Sequence, residues 1–318
     1  MDNKRYHLLE KVAYLYYTNG YTQKEIAMFL GIERTTISRM LKKAGTLGIV
    51  KTEVQIDNLE QLQLELALQE KFNLKNVMIA AKEPQRKVST ELEVVQAAAA
   101  YLKQLIKPGS TIGFAWGTLL SKMVDQFRGA GNNLGTTFVP LVGSPSLSNK
   151  QYHANQIVYN AAKQFGGKSL FIDEKAIQAR PITTVLNRNS FQKILAAWKQ
   201  LDIAVVGVGG SLTDESSSWR DMLSEEDRIQ LKKQHAIGDC CCTFFDQEGE
   251  IIGGQLLERT IAIPLSELRN IKNCVAVVIS PEKAPAILAL LKMGFLTALI
   301  TDEETARQVL RVAHSSMQ

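Results

Sequence analysis

The stretch that most constrains the fold of this 318-residue chain is residues 21–51, with the sequence YTQKEIAMFLGIERTTISRMLKKAGTLGIVK. Thr22 and Glu25 have the spacing of a capping box, a pattern that begins a helix. Gly31 can end that helix, because glycine adopts a positive φ at no steric cost. A second apolar pattern at helical spacing covers residues 34–44. The stretch therefore predicts two short helices joined by a tight turn.

The second of these helices has two chemically different faces. Ile37, Leu41 and Ala44 give it an apolar stripe that can be buried. The opposite face carries short hydroxyls and long cations, at Arg34, Thr35, Thr36, Ser38, Arg39, Lys42 and Lys43. Such side chains reach base edges and phosphates, and the first turn of a recognition helix enters the major groove. The pattern favours a helix-turn-helix DNA reader, to which Thr22 and Gln23 at the start of the first helix also contribute.

A plain helical hairpin with a solvated charged face is the alternative interpretation of this stretch. The capping box, the turn glycine, the apolar Ile32 in the turn and the one-sided basic face occur together, and this combination favours the DNA reader. Residues 48–54 predict a short pair of strands, a wing beside the phosphate backbone. A further helix is predicted over residues 4–18. We place the N-terminal DNA-binding domain at residues 1–56.

Positive charge is concentrated in this N-terminal domain. Residues 1–56 contain nine basic and five acidic residues, which accounts for +4 of the net charge of +5. The rest of the chain is therefore close to neutral. A basic end on a near-neutral body fits contact with phosphates by that end alone.

A linker helix is predicted next, over LEQLQLELALQEKF at residues 59–72, and Asp57-Asn58 can cap it. Leu59, Leu62, Leu66 and Phe72 mark its apolar side. Such a helix can pair with its copy in a second chain, or it can pack on its own domain. Both interpretations stay open at this point.

From residue 76 onward the pattern changes to short apolar runs that alternate with helical segments. Among the runs are VMIAA, STIGFAW, TTFVPLVG, LDIAVVGVGG, CCCTFF, GEIIGG, TIAIP and NCVAVVIS, each predicted to form a strand. Strands alternating with helices predict a mostly parallel sheet that is covered on both faces. We assign residues 57–318 to the linker helix and one large α/β domain.

Four predicted strand ends carry glycine or polar turns, at residues 113–118, 142–146, 207–211 and 280–283. In open α/β sheets, ligands bind beyond the carboxyl ends of the strands. A glycine turn that leads into a helix offers backbone N–H groups and a favourable dipole to an anion. Any one of these turns can be a turn without a ligand, but the four together favour a small anionic ligand.

Several other functions are not supported by the sequence. The turn GFAWGT lacks the third glycine of a dinucleotide fingerprint, and there is no ATP-binding loop. The four histidines are far apart, so we predict no metal site, and we predict no cofactor. Three of the four cysteines are consecutive, which is a poor disulfide framework and fits buried, reduced thiols. No apolar run is long enough to span a bilayer, so we expect a cytoplasmic protein.

Several separated motifs, in the same order, resemble those of the SorC family of bacterial sugar-responsive transcriptional regulators. They are YTQKEIA, RTTISRMLKKA, WGTL, YHAN, AVVGVGG, GDCCCTFFDQEGEIIG and EKAPAILALLKMG, and the likeness covers essentially the whole chain. The resemblance implies a winged helix-turn-helix domain followed by a Rossmann-like effector domain of the sugar-phosphate-isomerase type. It also implies a phosphorylated sugar as effector, and a dimer or tetramer on double-stranded operator DNA.

The resemblance assigns effector contacts to positions that match the family's motifs, and Gly143 in the second glycine loop joins them. These positions are Gly117, Thr118, Gly143, His153, Asn155, Gly207, Gly209, Asp239 and Lys283. The resemblance makes Lys283 and the turn at Gly117 phosphate contacts and Asp239 an acceptor for sugar hydroxyls. The first half is most similar to regulators of sorbose or sorbitol use, which implies a ketose or hexitol phosphate.

The sequence thus predicts a regulator that a sugar phosphate controls, with no catalytic residues. The alternative is a sugar-phosphate isomerase or deaminase with an accessory DNA-binding domain. That chemistry needs a general base beside the sugar, for which Asp239 and His153 are candidates, but no paired acid and base motif is evident.

Overall fold

The computed structural model describes residues 3–51, 53, 55–56, 58–80, 89–127, 134–145, 152–212 and 218–315. The chain divides into two compact units, Met1–Asn58 and Leu59–Gln318. Each unit has a hydrophobic core of its own. Asp57, the predicted cap of the linker helix, lies outside the described residues.

The described part of the N-terminal unit contains three helices. They are α1 (Asn3–Tyr17), α2 (Gln23–Leu30) and α3 (Arg34–Thr46). The predicted capping box is present, since the Glu25 backbone N–H donates to Thr22 Oγ1 at 3.3 Å and the Thr22 N–H donates to Glu25 Oε2 at 2.7 Å. Gly31 ends α2 with a φ of 62°. The two predicted helices and their turn are therefore formed.

The core of this unit joins the three helices. It consists of Val12 from α1, Ile26 from α2, and Ile37 and Leu41 from α3. Ile26 and Ile37 are fully buried. Burying such side chains contributes about 1.5–3 kcal/mol each, so the apolar stripe of α3 fixes which of its faces remains in solvent.

The predicted wing is not supported by the residues that the structure describes. Residues 48–50 form a turn and bends rather than a strand, and Thr52 and Val54 lie outside the described residues. The physical reason is local. The backbone N–H groups of Ile49 and Val50 both donate to the carbonyl of Ala44, at 3.0 and 3.3 Å, and so complete the end of α3 instead of a strand ladder.

The second unit is built on a parallel sheet of seven strands within the described residues. In sequence order they are β1 (Asn76–Ala80), β2 (Thr111–Phe114), β3 (Thr137–Pro140), β4 (Lys168–Ser169), β5 (Ile203–Val206), β8 (Asn273–Val277) and β9 (Ala298–Asp302), and their order in the sheet is β1-β9-β8-β5-β2-β3-β4. Every pairing in this sheet is parallel. A separate antiparallel hairpin contains β6 (Gly238–Cys240) and β7 (Thr243–Phe245). The predicted α/β class with a parallel sheet is confirmed.

Helices connect these strands. The described ones are α4 (Leu59–Phe72), α5 (Thr90–Leu105), α6 (Thr118–Asp125), α7 (Ala154–Phe165), α8 (Thr183–Leu186), α9 (Asn189–Trp198), α10 (Glu225–Lys233), α11 (Gln255–Glu258), α12 (Leu265–Leu268), α13 (Ala284–Met293) and α14 (Glu303–Ser315). Among the described residues, Ser218–Met222 and Pro281–Lys283 form short 3₁₀ helices. No helix in the described part of the chain is long and apolar enough to cross a membrane.

The order of the strands reverses between β2 and β5, which are neighbours in the sheet. From β2 the chain adds β3 and β4 on one side, and from β5 it adds β8 and β9 on the other. The connections that leave β2 and β5 therefore run in opposite directions. Such a switch point leaves a crevice beyond the carboxyl ends of the two strands, and this is where ligands bind in open α/β sheets.

Helix α4 covers the free edge of the sheet at β1. Gln61 Nε2 donates to the carbonyl of Ile79 at 2.7 Å, and the Ile79 N–H donates to Glu65 Oε1 at 2.9 Å. These side chains satisfy backbone groups that a neighbouring strand would otherwise satisfy. Leu68 of α4 is fully buried in the core of this unit. The linker helix therefore packs on its own domain.

The opposite face of α4 remains apolar and exposed. Leu59, Leu62 and Leu66 are 52%, 37% and 48% exposed. Of the residues that the sequence marks as the apolar side, these three leucines therefore face solvent, whereas Phe72 packs against the core of the unit. The helix has apolar residues on two sides, so the two interpretations of the linker do not exclude each other.

Three predicted strands are corrected by the structure. The run CCCTFF is a hairpin rather than one strand, because Cys241 and Cys242 have φ values of 51° and 59° and turn the chain. The runs GEIIGG and TIAIP do not form strands. Ile251, Thr260 and Ala262 make isolated bridges only, so no ladder extends along these segments.

Candidate functional site

A cavity of about 360 Å³ lies beyond the carboxyl ends of β2, β5 and β8. Its wall contains residues 115–120 after β2, residues 207–209 after β5 and residues 277–279 at the end of β8. Glu91, Pro145, Tyr152, Asp239, Cys241 and Lys283 complete it. The cavity therefore occupies the switch point of the sheet. Of the predicted effector contacts, it brings together Gly117, Thr118, Gly207, Gly209, Asp239 and Lys283.

The turn after β2 presents the start of helix α6 to the cavity. Gly117 is the N-cap with a φ of 144°, a conformation that favours glycine. The first intrahelical bond is donated by Ser121 to the Gly117 carbonyl at 3.0 Å. The N–H groups of the preceding residues have no acceptor within the helix, so this end of α6 can receive an anion. The Thr118 side chain is exposed at the same place.

The turn after β5 makes close contact with Asp239. Gly209 and Asp239 form an antiparallel bridge, in which the Gly209 N–H donates to the Asp239 carbonyl at 2.8 Å and the Asp239 N–H donates back at 3.3 Å. A Cβ atom on Gly209 would lie 2.0 Å from Asp239 Oδ1. Only glycine leaves room for the carboxylate here. The glycine at position 209 is therefore required for steric reasons.

Asp239 is a buried carboxylate with cationic neighbours. It is 4% exposed, and Arg220 Nη2 lies 3.4 Å from its Oδ1 atom. Burial raises the pKa of this carboxyl, because the charged form loses its hydration. The positive charges of Arg220 and Lys283 and the backbone N–H of Cys242 act in the opposite direction on this pKa. The site therefore combines a desolvated acid with groups that stabilise its ionised form.

Lys283 is positioned by a tight turn between β8 and α13. It ends the 3₁₀ helix Pro281–Lys283 and is the N-cap of α13. Ser280 before it has a φ of 153° and is held by a hydrogen bond from its N–H to Thr305 Oγ1 at 3.0 Å. Lys283 lines the cavity and is close enough to lower the pKa of Asp239. The other charged residue in the wall, Glu91, forms an ion pair with Lys122.

Three predicted effector contacts do not line the cavity. Asn155 uses both ends of its amide on the backbone of Ile172, at 2.9 and 3.0 Å, and so joins α7 to the segment after β4. A Cβ atom on Gly143 would lie 2.9 Å from the backbone of Ala176, so this glycine serves close packing. His153 is the N-cap of α7. Their predicted contact with an effector stays a prediction.

Among the residues around this site that the sequence does not predict, Arg220 is the one that forms an ion pair with Asp239. It is 3% exposed and comes from the 3₁₀ helix Ser218–Met222 between β5 and α10. No motif marks it, since it acts through the backbone of a distant glycine turn and through a carboxylate 19 positions later. The only signal for it would have been a buried acid, such as Asp239, that needs a cationic partner.

The predicted DNA contacts lie in the N-terminal unit. Arg34, Thr35, Ser38, Arg39, Lys42 and Lys43 of α3, and Thr22 before α2, are exposed, whereas Gln23 and Thr36 are half-buried. Apart from Arg34, which begins the helix beside the buried stripe, the α3 residues are on the side of the helix away from Ile37, Leu41 and Ala44, and Thr22 and Gln23 are at the start of α2. Tyr16, Thr22, Gln23 and Arg34 also line a shallow cavity between the start of α2 and the start of α3.

Comparison with known proteins gives consistent matches. The family model described as "Putative sugar-binding domain" matches residues 57–311. The sorbitol operon regulator of Klebsiella pneumoniae is 31% identical over 307 residues, which is 96% of this chain and 98% of that protein. The deoxyribonucleoside regulator of Bacillus subtilis is 28% identical over 314 residues, 98% of this chain and 99% of that protein.

Two solved structures are similar over most of their length. The full-length sorbitol operon regulator SorC from Klebsiella pneumoniae has a TM-score of 0.75 and 32% identity, and the match covers 96% of this chain and 98% of that one. A transcriptional regulator from Streptococcus pneumoniae has a TM-score of 0.75 and 33% identity, covering 80% of this chain and 98% of that one.

The parallel sheet with a cavity at its switch point defines the second unit as a sugar-binding domain of the type found in transcriptional regulators. The chain belongs to the SorC family of sugar-binding transcriptional regulators. The resemblance stated from the motifs is confirmed.

We predict that Gly209→Ala destabilises the second unit by about 1–3 kcal/mol, because the added methyl group forces the Asp239 carboxylate out of its position. The control is Gly253→Ala, since a Cβ there meets nothing within 4 Å and its effect should stay within about 0.5 kcal/mol. Urea unfolding of the full chain measures both. Equal stability of the two variants would contradict the close approach of the β5 turn to Asp239.

Proposed function

We propose that this chain regulates a carbohydrate-utilisation operon by binding operator DNA through its N-terminal unit, under the control of a phosphorylated sugar bound in the cavity. The observation that carries the proposal is the chemistry of the cavity wall. The start of α6 and Lys283 can hold an anion, and the buried Asp239 can accept hydroxyl hydrogen bonds. A regulator of this kind acts in the cytoplasm.

The phosphate would bind at the start of α6. Backbone N–H groups and the helix dipole favour an anion there, and Lys283 adds a full positive charge. Thr118 adds a hydroxyl at the same end. This arrangement suits a phosphoryl group, whose oxygens accept several hydrogen bonds at once.

The polyol part would extend toward Asp239. An ionised carboxylate accepts hydrogen bonds only, so it selects hydroxyl groups and disfavours a second anionic group. Asp239 and the backbone at Gly207 lie on the same wall as the turn after β2. A ketose or hexitol phosphate has a phosphate at one end and hydroxyl groups along its chain, and so fits this arrangement of the wall. The sorbitol operon regulator among the relatives supports that class.

We predict that Lys283→Ala weakens binding of the sugar phosphate by about 1.5–3 kcal/mol, and that Thr118→Val weakens it by about 0.5–1.5 kcal/mol, because hydrogen bonds to a charged group contribute more than neutral ones. Calorimetry with fructose 6-phosphate and sorbitol 6-phosphate measures the affinities. Lys292→Ala, at the exposed far end of α13, is the control and should bind as wild type does. Unaltered affinity in Lys283→Ala would contradict the site.

DNA binding is assigned to the exposed polar face of α3. Its cations and the hydroxyls of Thr35 and Ser38 are in solvent, while the stripe on the other side is buried. The N-terminal 56 residues carry most of the net positive charge of the chain, +4 of +5. Attraction to phosphates supplies affinity, and the first turn of α3, with Arg34 and Thr35, would read bases.

We predict that Arg39→Ala weakens specific DNA binding by about 1–3 kcal/mol and leaves sugar-phosphate affinity unchanged. A gel-shift titration at fixed salt, with a duplex selected by the wild-type protein from a random-sequence library, measures the change. Arg5→Ala, an exposed arginine of α1 outside the predicted reader face, serves as the control. DNA affinity equal to that of wild type in Arg39→Ala would remove α3 from the interface.

Control by the sugar phosphate needs a difference in its affinity for two states of the protein. A ligand shifts an equilibrium only by that difference, which in regulated proteins is usually about 1–3 kcal/mol. The coupling is reciprocal, so operator DNA must change the affinity for the sugar phosphate by the same factor. Measuring the DNA affinity with and without sugar phosphate, and the sugar-phosphate affinity with and without DNA, tests the regulatory part of the proposal.

A homodimer or homotetramer is part of the proposal, and the exposed stripe on α4 is what supports it. Leu59, Leu62 and Leu66 recur at spacings of three and four, which is the seam of a helix that pairs with its copy. Burying this stripe in a second chain would remove its apolar area from water.

We predict that Leu66→Glu shifts the full chain toward smaller species in sedimentation velocity, because it places a charge in the seam. Its stability should change little, since Leu66 is 48% exposed. Ala67→Glu adds the same charge to an exposed position off the seam and should sediment as wild type does. Identical sedimentation of both variants would place the contacts elsewhere.

An enzyme remains the second candidate function, because Asp239 is a buried acid in a cavity with a raised pKa. We propose that the chain has no catalytic activity, since its relatives carry the names of regulators. Incubation with the two sugar phosphates and analysis of products decides between the two, because turnover would support the enzyme.

A further inference from the structure

Arg220 carries a buried positive charge whose hydrogen-bonding groups point at the backbone of the β5 turn. Its guanidinium donates to the carbonyl of Gly210 at 2.7 Å and to the carbonyl of Ser211. The Nη2 group also reaches Asp239 Oδ1 at 3.4 Å. A guanidinium has five donors in a rigid plane, so one residue can hold a turn and a carboxylate together.

Asp239 connects that turn to the β6–β7 hairpin. Its backbone pairs with Gly209, and its carboxylate accepts a hydrogen bond from the N–H of Cys242. Arg220, Asp239 and the hairpin therefore form one continuous set of contacts. The carboxylate is the junction, since it faces the guanidinium on one side and the hairpin backbone on the other.

The hairpin itself has an unfavourable backbone conformation. Cys241 and Cys242 form its two-residue turn, and both have positive φ values. Turns of this kind favour asparagine and glycine, and a residue with a Cβ is strained there unless its surroundings hold it. Cys241 lines the cavity, so the position of this strained turn helps to determine the shape of the site.

We propose that Arg220 is the positioning residue of the cavity, which holds Asp239, the β5 turn and the strained Cys241–Cys242 turn in the geometry that binds the effector. The part that concerns the effector rests on the proposed function. The part that concerns the turns does not, because it depends only on contacts within the protein.

The turns can be tested without any effector, through the thiols. All four cysteines of the chain are buried, so labelling of the native protein by 5,5′-dithiobis(2-nitrobenzoic acid) is slow. Arg220→Met removes the contacts to Gly210, Ser211 and Asp239. We expect Cys241 to be labelled at least about tenfold faster in this variant, with mass spectrometry identifying the labelled residue.

The matched control is Arg259→Met. Arg259 also joins a carboxylate and a carbonyl, since it donates to Asp227 Oδ1 at 2.6 Å and to the Gln178 carbonyl at 2.8 Å. It does not line the cavity. Its loss should leave the labelling of Cys241 at the wild-type rate, measured under conditions in which both variants are folded. Equal acceleration in the two variants, or none in Arg220→Met, would overturn the proposal.

Binding of the sugar phosphate gives a second readout, through its pH dependence. Arg220 and Lys283 face Asp239 from the two 3₁₀ helices, and Cys240, Cys241 and Cys242 are its neighbours in the hairpin. Because the guanidinium lowers the pKa of Asp239, its removal raises that pKa. The carboxylate is then protonated at a higher pH, and affinity is lost earlier as the pH falls.

Calorimetry with sorbitol 6-phosphate and fructose 6-phosphate between pH 5.5 and 8.5 measures this shift. In Arg220→Met the affinity should fall at least about tenfold at pH 8, and the loss with falling pH should begin at a higher pH than in wild type. Arg220→Lys keeps the charge and should keep the wild-type onset. An onset that is the same in Arg220→Met and wild type would contradict the role of Arg220 in the ionisation of Asp239.

Two outcomes separate the failure of this inference from the failure of the proposed function. If neither sugar phosphate binds the wild-type protein, the proposed effector class is wrong, while thiol labelling still decides the role of Arg220. If Arg220→Met does not fold, the double variant Arg220→Met/Asp239→Asn removes both charges of the buried pair, which proteins tolerate better than one unpaired charge. Fast labelling of Cys241 is expected in it, and slow labelling overturns the proposal.

Discussion

The parallel pairing of β2 with β5 is the constraint on which the rest of the second unit depends. The chain adds strands outward from these two in opposite directions, so the turns that follow them separate and leave a crevice. One turn brings the start of α6 to the crevice, and the other brings Gly209 against Asp239. The groups proposed to bind the phosphate and the sugar hydroxyls therefore lie on the same wall because of the order of the strands.

Much of this arrangement could be predicted from local patterns. The capping box at Thr22, the glycine at position 31 and the glycine turns after β2 and β5 each depend on a few neighbouring residues, and local patterns report such features well. Arg220 could not be predicted in this way. Its partners are the backbone carbonyls of Gly210 and Ser211 and a carboxylate in another segment, so its role exists only in the folded chain.

The errors have physical causes of the same kind. The run of three cysteines is apolar and favours a strand, yet its second and third members turn the chain, because the contacts around Asp239 hold a conformation that cysteine seldom adopts. Residues 49–50 of the predicted wing do not form a strand, because the N–H groups of Ile49 and Val50 donate to the carbonyl of Ala44. In each case a tertiary or capping contact outweighs the local preference.

In the proposed regulator, the linker helix is the route by which a signal leaves the second unit. Gln61 and Glu65 form hydrogen bonds with the backbone of β1, and Glu60 forms an ion pair with Arg307 of α14 at 2.5 Å. Helix α4 therefore contacts two elements of this unit through polar side chains. A helix held at both the sheet edge and a neighbouring helix moves with its domain rather than independently. In the proposed oligomer, the exposed leucines of α4 would then carry a displacement of this unit to a second chain.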